Sequence, residues 1–179
     1  MPIISQIRDY NGFVAKSARL GLTGIVQEVE ATLTRFPLLI EEQRYANGTK
    51  GLRQLIDDGF VAAGGWTKLT VGGIDWSKQS PQGPSVGVEV QVSGRSDMLA
   101  VDIMHLKEKI EAGGIDVGMI IVPDDPLSRF LTDRTPNFAT AIKHVDHRAR
   151  DLPIRVVAFS HDGVGPALGK MRTNLGRLP

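Results

Sequence analysis

Three side chains with chemistry to offer, Asp75, Glu89 and Gln91, sit on or beside two apolar runs. From Ser85 to Ser93 the valines at 86, 88, 90 and 92 alternate with Gly87, Glu89, Gln91 and Ser93, the two-residue period of a β-strand. Such a strand turns its valines to a core and leaves the acid and the amide on the other face, about 6–7 Å apart. Asp75 ends the upstream run W-T-K-L-T-V-G-G-I-D, read as a first strand, and S-K-Q-S-P-Q-G-P after it has the residues of a turn, which predicts a hairpin. Two carboxylates on neighbouring strands suit a hard divalent cation, which takes oxygen ligands, and the Val90 carbonyl could join them. The same residues have a plainer use, with Asp75 capping a turn and Glu89 facing solvent.

The elements that must position these groups are legible in outline. Leu22, Ile25, Val29, Leu33 and Phe36 fall at helical spacing until Pro37 stops the run. Asn47 or Thr49 could cap a second helix with the stripe Leu52, Leu55, Ile56 and Phe60, ended by Gly64-Gly65. After Ser96, Leu99, Ile103, Leu106 and Ile110 form one helix face, with Gly113-Gly114 as the stop. The almost continuously apolar run 117–122 then predicts a strand covered on both faces, and strand, helix, strand implies a parallel crossover. Thr135 and Pro136 read as N-cap and first residue of a helix through Phe138, Ala141, Ile142 and Val145, and residues 153–159 as the last strand.

Length and composition fit one domain over residues 1–179 with its core at about 47–159. A net charge of +1 neither demands nor excludes a polyanionic partner, because local fields matter more than the total. The absence of cysteine removes disulfides, thiolate metal sites and a cysteine nucleophile, and fits a reducing cytoplasm. No run is long and apolar enough for a membrane span, so a soluble cytoplasmic protein is expected.

The pattern D-x13-E-x-Q, the A-G-G-W before the first run and I-D-V-G-M-I-I-V-P after the helix together resemble the PD-(D/E)xK nuclease superfamily. More narrowly, they resemble the type II restriction endonucleases of the BglII and BamHI group, over about residues 47–159. The usual final lysine of the superfamily motif is glutamine in BglII-like members, and Gln91 follows that subgroup. The resemblance implies an α/β fold with a mixed central sheet flanked by helices, Mg²⁺-dependent hydrolysis of double-stranded DNA, and a homodimer cutting a short palindrome. Asp75 and Glu89 would hold Mg²⁺ with the Val90 carbonyl, and Gln91 would orient the attacking water or the phosphate. A helix glutamate, Glu28 or Glu30, could also reach the metal.

DNA contacts would come from loops near these residues: Lys78; Ser93, Arg95, Ser96 and Asp97; Asp124, Asp125, Ser128 and Arg129; and the region of Asp133, Arg134 and Asn137. Arginine suits guanine, asparagine adenine, and aspartate the cytosine amine, though ordinary surface loop also describes each segment. Lys143, His144, His147, Arg148 and Arg150 could track phosphates or form a solvated helix face. G-V-G-P-A-L-G-K at 163–170 is not a phosphate loop, since Met171 stands where a Ser or Thr would be needed, and no G-x-S-x-G elbow occurs. Two other readings stay open: a non-specific or repair nuclease of the same fold, and an inactive DNA-binding relative.

Overall fold

A computed structural model of the chain describes residues 2–69, 73–92 and 96–169, without the side chain of Ser96. The elements run β1 (Ile3–Asp9), α1 (Phe13–Arg19), α2 (Thr23–Leu33), β2 (Leu39–Ile40), α3 (Thr49–Ala63), β3 (Thr67–Lys68), β4 (Trp76–Gln79), β5 (Ser85–Val90), α4 (Ser96–Glu111), β6 (Val117–Pro123), α5 (Asp125–Phe130), α6 (Phe138–Arg148), β7 (Ile154–Ser160) and β8 (Gly163–Val164). Six strands form one mixed sheet in the order β1-β7-β6-β5-β4-β3, and β2 and β8 form a small parallel pair. Within the large sheet β5, β6 and β7 are mutually parallel, while β1, β4 and β3 join antiparallel.

The sheet separates two apolar layers, as the patterning requires. Val86, Val88 and Val90 of β5 and Val117, Met119 and Ile121 of β6 pack with Val26, Val29, Leu33, Leu52, Ile56 and Phe60 from α2 and α3. Ile120 and Val122 of β6 face the other way, onto Leu99, Ile103 and Leu106 of α4 and Ala141 and Val145 of α6. All seven residues of β6 are buried, which is why that strand reads as an unbroken apolar run. At Gly87 a Cβ would stand 2.5 Å from Ile115 Cδ1 and 2.7 Å from Ile74 Cδ1, so glycine lets the α4-side layer close over β5 just before Glu89.

Several local expectations change. The mainly helical reading of the N-terminal part missed β1, which pairs with β7; its residues are mostly exposed, so no buried face marks it. The upstream run is not one strand, because β3 stops at Lys68 and Asp75 lies in a bend ahead of β4; residues 70–72 of that run lie outside the described residues. β4 takes Trp76 to Gln79, of which Ser77 to Gln79 read as turn in the sequence, because Trp76 is a core side chain stacked on Phe60 at 5.1 Å. Asn137, rather than Thr135, caps α6, its Oδ1 accepting from Thr140 N at 3.0 Å. Residues 154–160 are followed by β8, so they are not the last strand.

Gly48, not Asn47 or Thr49, stands at the N-cap of α3. Asn47 is fully buried and holds three segments: its Oδ1 accepts from Glu41 N and Leu168 N, and its Nδ2 donates to the carbonyls of Glu41 and Phe130. Removing it strands buried backbone groups, each worth about 1–3 kcal/mol when left without a partner. Asn47→Leu is expected to destabilise the protein by at least about 2 kcal/mol, read as a lower urea midpoint at unchanged slope.

Candidate active site

Pairing of β4 with β5 brings the two sequence-selected acids together. The register sets Trp76 against Val88, so Asp75, one residue before β4, falls opposite Glu89. Glu89 shares a face with Gly87, toward α4, and is only 2 % exposed. Asp75 is partly exposed, and its Oδ2 accepts from Val90 N at 2.8 Å, anchoring the bend to the end of β5.

A cation from α3 completes this end of the site. Arg53 donates from Nη2 to Asp75 Oδ1 at 2.8 Å, from Nη1 to the Val90 carbonyl at 2.9 Å and from Nε to Asp57 Oδ1 at 3.0 Å. Burial works against its charge, but Asp75 first and then Asp57 outweigh this and hold the guanidinium ionised. Asp57 is steadied in turn by Lys68 Nζ at 2.7 Å and Trp76 Nε1 at 3.0 Å. The guanidinium thus already holds two of the oxygen donors singled out in the sequence, Asp75 and the Val90 carbonyl.

On the other side of Glu89, α4 supplies Asp102 and His105, one helical turn apart. Single ligand atoms of Glu89, Asp102 and His105 lie within 4.8 Å of one another, a grouping that does not include Asp75. Gln91 Nε2 donates to Asp102 Oδ2. Glu89 Oε1, Gln91 Oε1 and His105 Nδ1 are buried without a hydrogen-bond partner. Sequence reasoning missed Arg53, Asp102 and His105. The last two carried a weak signal, since both lie beside the apolar stripe of the helix that follows the Glu89 strand.

Other sequence-selected residues are occupied elsewhere. Lys78 lies within β4 rather than in the turn, and donates to Glu28 Oε1 at 2.7 Å and to the Gly64 carbonyl at 2.8 Å. Glu28 also accepts from Trp66 Nε1 and Glu30 from Arg155 Nη1, so both helix glutamates are engaged away from Asp75 and Glu89. Asp124 is the N-cap of α5, accepting from Leu127 N at 2.8 Å, and is buried rather than presented from a loop. Ser128, Arg129, Asp133 and Asn137 share a polar cavity of about 530 Å³ with Arg44 and Tyr45, two residues that sequence reasoning passed over. Asp97 is exposed at the start of α4, and Asp125 opens α5. Ser93, Arg95 and the side chain of Ser96 lie outside the described residues. His144 is held below its usual value by burial and by Arg148, Lys143 and His147, on the solvated face of α6.

Crowding of acids decides the electrostatics. Burial first, then the charges of Asp75 and Asp102, push Glu89 up to about 10, and burial and Asp75 push Asp102 up to about 6 against the opposing pull of His105 and Arg53. In the metal-free fold Glu89 therefore keeps its proton between about 4.5 and 10, a range where the unfolded chain has lost it. Its contribution to stability is full below about 4.5 and is lost as pH rises toward 10; Asp102 adds the same sign between 3.8 and about 6. Glu89→Gln is expected to raise the melting temperature at pH 8 in EDTA by several degrees, at roughly 2–4 °C per kcal/mol, with the gain shrinking toward pH 5. Equal gains at both pH values would contradict a proton held on Glu89.

The fold has known counterparts. The restriction endonuclease BglII in complex with a DNA 16-mer superposes with a TM-score of 0.66 at 19% identity, covering 88% of this chain and 76% of that one. Free BglII gives a TM-score of 0.57 at 18% identity, covering 94% and 81%. Among curated protein sequences no match is found. The family model for restriction endonuclease BglII/BglIII matches residues 22–159, which contain β3 to β6 and all of β7 but its last residue, together with Arg53, Asp75, Glu89, Gln91, Asp102 and His105. The chain belongs to the BglII/BglIII restriction endonuclease family.

Proposed function

We propose that this protein cleaves double-stranded DNA at a short palindromic site by Mg²⁺-dependent phosphodiester hydrolysis, acting as a homodimer. The observation that carries the reading is the placement of Asp75 opposite Glu89, with a buried Glu89 oxygen that has no partner. An all-oxygen donor set of Asp75, Glu89 and the Val90 carbonyl fits Mg²⁺. When bound, that ion would neutralise phosphate charge and make a water more acidic. Arg53 holds Asp75 and the Val90 carbonyl in a fixed relation to each other, and its charge faces the end of β5. Gln91 steadies Asp102 through its amide, leaving its own carbonyl oxygen to orient a water by accepting a hydrogen bond from one of its protons. A neutral amide cannot take up that proton, so Gln91 positions and does not act as a base. The polar cavity with Arg44, Arg129 and Asn137 is the proposed place of contact with DNA, and the BglII structure bound to a DNA 16-mer supports that class of partner.

Asp75→Asn or Glu89→Gln should lower single-turnover cleavage of phage DNA in Mg²⁺ by at least about 10²–10³-fold. Gln91→Leu should lower it by about 10–100-fold, the usual effect of losing a group that orients a ligand. Sequencing the ends of the digest gives the site and the overhang together, and parental rates in the Asp75 variant would remove the mechanism.

A DNA-binding relative without activity is the second reading, favoured by the guanidinium already seated on Asp75 and Val90. No cleavage of any duplex in Mg²⁺ or Mn²⁺, with salt-sensitive binding intact, would decide for it.

Palindromic cutting by one site per chain requires two chains. Sedimentation of the protein on a duplex carrying the mapped site should show two chains per duplex. One chain per duplex with nicked product would replace the dimer reading by that of a nicking enzyme.

A further inference from the structure

Glu89 has neighbours on both sides, and only the Asp75 side is used by the proposed Mg²⁺ position. On the α4 side, ligand atoms of Glu89, Asp102 and His105 converge within 4.8 Å of one another. Donors placed trans on an ion with bonds of about 2.1–2.2 Å are about 4.2–4.4 Å apart, and cis donors about 3 Å, so small torsional shifts bring all three onto one ion. Two independent features point to a ligand. Glu89, 2 % exposed, has an oxygen, Oε1, buried without a partner, and His105 Nδ1, from a different element, is also buried without a partner. Buried polar atoms without partners are few in folded proteins, and here two belong to one potential ligand set. Gln91 fixes Asp102 from the side, as groups that orient ligands do.

We infer that Glu89, Asp102 and His105 form a second divalent-cation position, separate from that of Asp75 and the Val90 carbonyl, and that its imidazole selects a transition ion of the Mn²⁺ type over Mg²⁺. A hard ion such as Mg²⁺ favours oxygen donors and retains water, whereas one nitrogen with two carboxylates suits first-row transition ions. The inference rests on the nuclease reading in one respect: Glu89 serves both positions.

Mn²⁺ added to the metal-free full-length protein provides the test, with pulsed EPR reading the nitrogen coupling of a coordinated imidazole and titration reading affinity. The parent should show the coupling, and His105→Ala should abolish it and weaken Mn²⁺ binding at least about tenfold, with Asp102→Asn weakening it comparably. His105→Gln serves if the alanine variant does not fold. Absence of the coupling in the parent, or its persistence in the His105 variant through another histidine, would overturn the proposal. Asp75→Asn separates the two readings. Coupling retained in that variant while DNA is still cut at the parental rate would leave this cation position standing and remove the Asp75 mechanism. Cleavage lost with Asp75→Asn, in a protein whose Mn²⁺ never meets an imidazole, would do the reverse.

Discussion

Like charges do not share a buried space without a counter-charge, and the carboxyl groups of Asp75, Glu89 and Asp102 share one. The fold answers in two ways. Arg53 reaches across from α3 to neutralise Asp75 and Asp57, and Glu89 keeps its proton. Much of the surrounding structure follows. α3 must lie where its second turn meets the end of β5, Trp76 and Lys68 must hold Asp57 in place for Arg53, and α4 must bring Asp102 no nearer than a steadying amide allows. A site arranged around repulsion of this kind is poised for cations, since an added positive charge relieves what burial has concentrated.

The core of this arrangement was readable in the chain itself. Alternation of valines with Gly87, Glu89 and Gln91 assigned the faces of β5, and the unbroken apolar run of β6 with the helix before it disclosed the parallel crossover. Those signals survive because they depend on burial alone, which sequence periodicity records directly. β1 escaped because an edge strand with exposed residues has no buried face to announce it. β4 escaped because a short strand beside a Pro- and Gly-rich turn looks like more turn, and only the demand to bury Trp76 tells them apart.

At the site the limit was of another kind. Asp75, Glu89 and Gln91 are close in sequence and sit in a recognisable pattern. Arg53 lies 22 positions before Asp75, within what reads as an ordinary amphipathic helix, and its bond to a backbone carbonyl leaves no trace in residue types. Lys78 and Asp124 show the converse: charged residues beside turns invite a role in binding, and in this fold one is tied to Glu28 and the other caps α5. Residue type states what a group can do; only its neighbours state whether it is already doing something else.

The turn between β4 and β5 carries a further consequence. Four residue pairs separate the opposition of Asp75 and Glu89 from the loop at residues 80–84, and each pair preserves the sidedness of the next. The hairpin therefore acts as a counter, and what it counts is parity. One residue added to or removed from that loop, unless a bulge absorbed it, would turn Glu89 to the valine side and Val88 or Val90 toward Asp75. Apart from buried Ser80 and Gly83, whose φ of 107° favours glycine, composition in this turn constrains the site less than its length, odd or even, so a segment that touches none of the reactive groups still governs whether they meet.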